Sequence, residues 1–310
     1  MPSSPSSPCR NTTPSNLPSG VSIGELRRTL VRLLQTEGLD SPQRTAELLL
    51  CHVLGWSRLE LLLRQHEPFP HTARPTLLRL LRRRLRREPL QYVLGETEFF
   101  GLPLLLQRGV FIPRPETEVL VEEALAHIPP ESGTPFRVLD IGTGSGCIAL
   151  ALAFHRPAAT VLGIDIATTA LRCARRNARR LGLRNVRFLS LDILRDTPPG
   201  APFQLIVANP PYIPIDLLPQ LQPEVRLFEP HEALTDGADG LLFYRRFAEL
   251  FPSLLAPGGH FLLEVADGMA THVAALFPGA TLRIRRDYAG IERVLIGTYA
   301  SPSIPPSSVP

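Results

Sequence analysis

Val138-Leu139-Asp140-Ile141-Gly142-Thr143-Gly144-Ser145-Gly146 is an apolar, β-branched run that stops at a loop with glycine at every second position. An apolar helical stretch at 147–154 follows it. Strand, glycine loop, helix is the opening unit of an open α/β sheet, where ligands bind outside the carboxyl ends of the strands. Glycine lets the chain turn sharply and brings backbone close to a ligand. The spacing is G-x-G-x-G, which differs from the G-x-G-x-x-G of dinucleotide folds.

Outward from this loop, apolar runs at 136–141, 160–165, 186–190, 204–208 and 260–265 read as strands. Helical stretches at 168–181 and 241–255 lie between later runs, as 147–154 does between the first two. Strands alternating with helices predict a parallel, doubly wound sheet. Two further strands, 281–286 and 292–298, flank a short turn through Gly290. A connection that short joins antiparallel strands. The expected fold is therefore α/β: a doubly wound, mostly parallel seven-stranded sheet with an antiparallel last strand.

Acidic residues mark the strand ends. Asp165 closes the second strand about 20 residues past the glycine loop, where a carboxylate can accept both ribose hydroxyls of an adenosine group. Asp192, just past the third strand, is placed to accept from an adenine amine, with Ile193 packing on the ring. Asp140 can orient the loop or an amino group of the ligand.

The fourth strand ends at Asn209-Pro210-Pro211-Tyr212. This motif fits methyl transfer to a planar NH2 nitrogen. A methyl sulfonium is already a strong electrophile, so the enzyme's task is positioning. An amide or nucleobase NH2 is a poor nucleophile because its lone pair is delocalised. The Asn209 side-chain oxygen can accept one of its hydrogens and the Pro210 carbonyl the other, letting nitrogen aim its lone pair at the methyl carbon. Two prolines stiffen the loop, and Tyr212 offers a face for a flat group. The motif alone does not separate glutamine from adenine, so N6-adenine or another nucleic-acid amino group stands as the alternative target.

In front of this body, residues 21–88 read as a small helical domain. Ser22 with Glu25 is a capping box. Pro42 opens a second helix that Gly55 ends. Ser57 starts a third through Leu63, and 72–87 makes a fourth. Residues 89–112 read as a β-hairpin linker, with extended segments at 91–95 and 98–104, and 117–126 as a helix opening the main domain of 113–300. The ends, 1–20 and 301–310, are Ser/Pro-rich and read as disordered tails.

All 33 basic residues are Arg, and the net charge is +4. The Arg-rich stretch 82–87 reads as a solvated face or a patch for an acidic partner surface, and no direct nucleic-acid binding is expected. The four Cys form no C-x-x-C pair, so neither a disulfide framework nor a metal site is expected. No apolar run is long enough to span a membrane, and the N-terminus lacks a signal-peptide core. A cytoplasmic protein without a membrane partner is the expectation.

The chain resembles the release factor glutamine methyltransferases, class I enzymes that use S-adenosyl-L-methionine, over about residues 21–300. The likeness rests on Gln91-Tyr92-Val93-Leu94-Gly95, Glu98-Phe99, Gly101-Leu102, Phe111-Ile112-Pro113-Arg114-Pro115-Glu116-Thr117-Glu118, the glycine loop, Asn209-Pro210-Pro211-Tyr212, Phe228-Glu229-Pro230 and Arg286-Asp287-Tyr288. The Ile112–Glu118 segment is far more specific than N-P-P-Y. The resemblance implies methyl transfer to N5 of the Gln in the Gly-Gly-Gln loop of peptide chain release factors, held in part by the helical domain. It implies cofactor contacts from Gly142, Thr143, Gly144, Ser145, Gly146, Asp165, Ile193 and Asn209, with Phe99 near the methionine end. It also implies a grip on the Gln by Asn209, Pro210, Pro211 and Tyr212. Ile193 stands where relatives of this family carry an aromatic residue.

Overall fold

The computed structural model describes residues 20–131 and 136–300. The two stretches expected to be disordered tails, except Gly20, lie outside the described residues. The chain divides into two compact units, residues 1–94 and 95–310.

The first unit is helical. Ser22 caps α1 (Ile23–Thr36) in a reciprocal capping box with Glu25. Pro42 opens α2 (Pro42–Leu54), and Gly55, at φ +69°, ends it. Ser57 and Glu60 form a second capping box on α3 (Arg58–Leu63). A 3-10 turn at His71–Ala73 precedes α4 (Arg74–Leu85), which stops before Arg87 at φ +68°. Leu26, Leu30, Leu34, Leu49, Leu50, Leu77 and Leu81 are buried together.

The Arg run is only partly a solvated face. Arg83 pairs with Glu88 at 2.6 Å, and Arg87 donates to the carbonyls of Glu37 and Gly38, each at 3.0 Å. Arg84 is buried and donates to the carbonyl of Glu88.

The expected extended segment 91–95 is instead a short helix, α5 (Leu90–Leu94). Leu90, Val93 and Leu94 fall at i, i+3 and i+4 and pack on the core of this unit, a helical face that so short a run conceals. Arg83 fixes it by donating to the carbonyls of Tyr92 and Val93.

The hairpin begins only at β1 (Glu96–Phe99) and returns as β2 (Leu102–Leu105). Phe100 and Gly101 at the turn have φ of +50° and +72°, as two-residue hairpin loops require. It belongs to the second unit. Phe99, Leu102 and Leu104 are buried in that unit's core. The buried Asn177 accepts from the Leu105 amide at 2.7 Å and donates to the Leu105 and Ser145 carbonyls.

The remaining strands are β3 (Phe136–Ile141), β4 (Ala159–Asp165), β5 (Val186–Ser190), β6 (Phe203–Ala208), β7 (Leu255–Glu264), β8 (Ala280–Arg286) and β9 (Glu292–Tyr299). They form one sheet in the order β5-β4-β3-β6-β7-β9-β8. Neighbours from β5 to β7 run parallel, and β9 runs antiparallel to both β7 and β8. The helices are α6 (Glu118–His127), α7 (Cys147–His155), α8 (Thr168–Arg180), α9 (Pro223–Phe228), α10 (Leu242–Leu254) and α11 (Ala270–Ala274).

Successive strand side chains point to opposite faces, and the core divides accordingly. Val138, Val161, Leu205, Val207 and Leu262 pack with α6 and α7. Leu139, Ile141, Ile164, Ile206 and Leu263 pack with α10. On the latter face Phe247, Phe251, Phe261 and Phe277 are in ring contact, with centroids 4.8–6.1 Å apart. The chain reverses its winding between β3 and β6, so the ligand crevice of such a sheet lies at their carboxyl ends.

Candidate active site

A cavity of about 550 Å³ opens at that crevice, a size suited to a ligand of cofactor dimensions. Gly142, Thr143, Gly144 and Ser145 line it after β3, Asp165 at the end of β4, Asp192 and Ile193 after β5, and Asn209, Pro210, Pro211 and Tyr212 after β6. Residues expected from four separate stretches of sequence therefore converge on one cavity.

The loop after β3 is held by carboxylates. Gly142 and Gly144 sit at φ +72° and +57°. A Cβ on Gly142 would come within 3.8 Å of the Asn209 carbonyl oxygen across the crevice. Asp165 takes the Gly144 amide on Oδ2 and the Ala167 amide on Oδ1, each at 2.8 Å. Each oxygen keeps a lone pair for a ligand hydroxyl. Burial pushes the Asp165 carboxyl upward, while the backbone donors pull it back. Asp192 takes the Leu194 amide at 3.1 Å, and Ile193 packs its side chain into the core beside the cavity.

Asp140 stands behind the loop, fully buried. Its Oδ2 takes the Thr143 hydroxyl at 2.6 Å and the Ala149 amide at 3.2 Å, and Oδ1 has no protein partner. Burial pushes this carboxyl up to about 7.

Two expected cofactor contacts lie elsewhere. Phe99 is 1% exposed and is packed in the core with Leu102 and Leu104, outside the cavity lining. Strand alternation decides this, because the preceding Glu98 takes the exposed side and Phe99 the core side. Gly146 also stays out of the lining. It caps α7 at φ +85°, where a Cβ would meet Leu150 at 2.9 Å and Ala174 at 3.1 Å, so its role is close packing.

Several lining residues belong to motifs that carried the resemblance but were given no site role. Phe111, Arg114 and Thr117 come from the segment before α6. Arg114 lies over the Phe111 ring and pairs with the buried Glu229 at 2.5 Å. Glu229 also takes the Ile112 amide at 3.2 Å, so two motifs far apart in sequence form one wall. Thr117 accepts a hydrogen from the Asn209 side-chain amide at 3.2 Å. Behind it, Glu264 ends β7, buried, and its carboxyl takes the Tyr212 hydroxyl at 3.1 Å. Burial pushes Glu264 up to about 7. A carboxylate closing an apolar strand was the signal that marked Asp140 and Asp165, and it would have found Glu264 as well.

The Asn209–Tyr212 segment is braced by the loop that precedes α10. Ile213 donates to the Leu234 carbonyl and Ile215 to the Ala238 carbonyl. Asp236 gathers the amides of Ala238, Gly240 and Leu242. Gly240 lies so close that a Cβ there would sit 3.0 Å from the Tyr212 carbonyl carbon and nearer still to its oxygen.

Comparison with known proteins agrees with this layout. The family described as PrmC N-terminal domain matches residues 25–95, and that described as Methyltransferase domain matches 134–285. A release factor glutamine methyltransferase of Rhodospirillum rubrum is 41% identical, over 93% of this chain and 89% of its own. The chain belongs to the release factor glutamine methyltransferase family. Other family members, from Thermodesulfovibrio yellowstonii and Neisseria gonorrhoeae, are 41% and 42% identical over 82% and 83% of this chain and 91% and 94% of theirs. A solved structure of a release factor-specific protein-(glutamine-N5) methyltransferase from Alicyclobacillus acidocaldarius is 34% identical. That match covers 61% of this chain and 94% of the other, with a TM-score of 0.38. Membership of this methyltransferase family accounts for both units, the helical one and the class I body. No helix among the described residues is long and apolar enough to cross a membrane.

Proposed function

We propose that this protein transfers a methyl group from S-adenosyl-L-methionine to the N5 side-chain amide nitrogen of the Gln in the Gly-Gly-Gln motif of peptide chain release factors, in the cytoplasm. Family membership over most of the chain supports the reaction, and the Asn209-Pro210-Pro211-Tyr212 segment on the crevice supports the site. The observation that carries it is the hydrogen bond between Asn209 and Thr117, which joins the amide-gripping motif to the family-specific Ile112–Glu118 segment.

The cavity fits the cofactor. Its volume suits a nucleoside carrying an amino-acid arm, and its lining combines acceptors at Asp165 and Asp192 with apolar Ile164, Ile166, Ile193 and Leu194. Gly142 and Gly144 leave the loop side open to close approach. Asp165 would take the ribose hydroxyls, Asp192 the adenine amine, with Ile193 against the ring. S-adenosyl-L-methionine supplies a methyl group on a positively charged sulfur, which becomes a neutral thioether once the methyl has left.

The protein's own residues handle the amide. The Asn209 side-chain oxygen takes one N–H of the substrate Gln and the Pro210 carbonyl takes the other. With both hydrogens held, the nitrogen lone pair turns out of conjugation toward the methyl carbon. Pro210 and Pro211 preset the carbonyl direction. Tyr212, its hydroxyl anchored on Glu264, lends its ring as a face for the flat amide. After transfer the nitrogen loses its extra proton to water, so no general base precedes attack. The helical unit, which carries none of the cavity-lining residues, would hold the release factor. A release factor whose motif reads Gly-Gly-Ala should take no methyl, whereas methylation of that variant or of RNA would refute the assignment.

A further inference from the structure

The turn between β8 and β9 carries Arg286-Asp287-Tyr288, which the reaction described above does not use. The turn is braced from several sides. Asp287 Oδ1 accepts the Ala289 and Ile291 amides at 2.9 and 3.0 Å, and its Oδ2 pairs with Arg293 at 3.1 Å. Arg286 donates to the Gly290 carbonyl at 2.9 Å. Tyr288 stands out of this turn, 82% exposed, more than any other large apolar side chain among the described residues. Its hydroxyl is tied to Glu122 of α6, with the two carboxylate oxygens at 2.7 and 2.8 Å. The fold therefore holds one aromatic ring in place while leaving it in water.

The turn lies at the same end of the sheet as the crevice. β9 runs antiparallel to β7, Val294 pairs with Glu264, and the Val265 amide donates to the Arg293 carbonyl at 2.9 Å. Glu264 takes the hydroxyl of Tyr212. β8 is three strands from β6, about 14 Å at the usual strand spacing, a distance that about four extended residues of a bound chain would cover.

We propose that Tyr288 is a contact for the acceptor protein, its ring packing on the uncharged main chain that flanks the glutamine held at Asn209. This rests on the reading of the acceptor as a glutamine within a polypeptide.

The chemistry of the rim selects that occupant. The arginines beside Tyr288 are matched by acids: Arg283 with Glu123, Arg285 with Glu122 at 4.0 Å, and Arg286 with Glu292 at 2.7 Å. Phosphate binding draws on unmatched positive charge, so this rim favours an uncharged chain over a nucleic acid. A tyrosine ring offers a large contact area with few rotatable bonds. The hydroxyl tether and the braced turn lower the ordering cost further. Peptide planes and glycine CH groups can pack on such a ring without a side-chain partner.

Tyr288→Ala and Tyr288→Phe in the full chain test this. Interactions that hold the acceptor equally before and during transfer act on KM and leave kcat unchanged. In Tyr288→Ala the KM for a release factor should rise about tenfold, as when an interface loses an aromatic anchor. Its kcat and S-adenosylhomocysteine affinity should stay within about twofold. Tm should hold, since an exposed side chain contributes little to the fold. Tyr288→Phe keeps the ring and loses the tether, so its KM should rise only about two- to threefold. The ratio of KM between Tyr288→Ala and wild type should be the same at about 0.05 and 0.3 M salt, because no charge is removed. Calorimetric Kd for a release factor whose motif reads Gly-Gly-Ala should shift in step with KM, which reads binding without turnover. Wild-type KM in Tyr288→Ala, a loss confined to kcat, or a KM ratio that vanishes with salt would overturn the proposal. Binding of RNA that depends on Tyr288 would also overturn it, by giving the ring to a base. Normal methylation by wild type with an unchanged KM in Tyr288→Ala defeats this proposal alone. Failure of wild type to methylate any release factor defeats the functional reading and this proposal with it.

Discussion

The Asn209 side chain donates to the Thr117 hydroxyl across 3.2 Å, joining the end of β6 to the turn that opens α6. Two motifs separated by 92 residues thus meet at one hydrogen bond. Asn209 lies on the crevice that β3 and β6 form, where the proposed chemistry and substrate recognition would coincide.

Asn209→Ala should lose about 10²–10³ in kcat, the effect of removing one aligned polar group from a reacting centre. Calorimetric titration with S-adenosylhomocysteine should show affinity mostly retained, because the loop after β3 and Asp165 are untouched. Near-wild-type turnover would remove Asn209 from the chemistry.

Asp165→Ala should act on the cofactor and on the loop together. Asp165 holds the Gly144 and Ala167 amides, and hydrogen bonds to a charged acceptor contribute about 1.5–3 kcal/mol each. Cofactor affinity should drop at least tenfold, by roughly 1.4 kcal/mol or more, with a lower Tm in the absence of ligand. Unchanged affinity would move the ribose site elsewhere.

Gly240→Ala should disturb Tyr212 without touching the cavity chemistry directly. Gly240 has φ +80°, and its added methyl would press on the Tyr212 carbonyl. The left-handed backbone alone costs an alanine roughly 1–2 kcal/mol. Both Tm and kcat should fall, and a fully active, equally stable variant would show that the bracing loop does not set the segment's position.

The sequence made the strands of the main sheet legible because each is an apolar run ended by a turn or an acid. Convergence of Gly142, Asp165, Asp192 and Asn209 followed from one rule about strand ends. Short elements were another matter. At 91–95, five residues give too little periodicity to tell a helix from a strand, and Arg83 settles it through carbonyls that no pattern marks. The resemblance placed Phe99 near the methionine end of the cofactor, yet strand alternation turns its side chain into the core. Thr117, though part of a quoted motif, got no role because its meaning lies in a contact with Asn209, 92 residues away.

Asp140 predicts a pH dependence of stability. Burial raises its carboxyl from the ordinary 3.8 to about 7 in the folded protein. Between those values the folded state binds the proton that the unfolded state has released, so stability from this group falls as pH rises and levels off above about 7. Asp140→Asn has no such proton. Its Tm relative to wild type should therefore improve from pH 5 to pH 8 by differential scanning calorimetry. A constant difference would mean that Asp140 is not raised.

Removal of residues 1–94 should leave S-adenosylhomocysteine binding in place while methylation of an intact release factor falls. The boundary follows the division between the two compact units. Undiminished methylation by residues 95–310 would end the substrate-holding role of the helical unit.

The most direct measurement incubates the full chain with methyl-labelled S-adenosyl-L-methionine, a release factor and total RNA, then maps the label by tandem mass spectrometry. Label confined to the side-chain amide of the Gly-Gly-Gln glutamine, and absent from that fraction with Asn209→Ala, is the expected result. Label on an adenine amine, or on any other residue of the release factor, would contradict it.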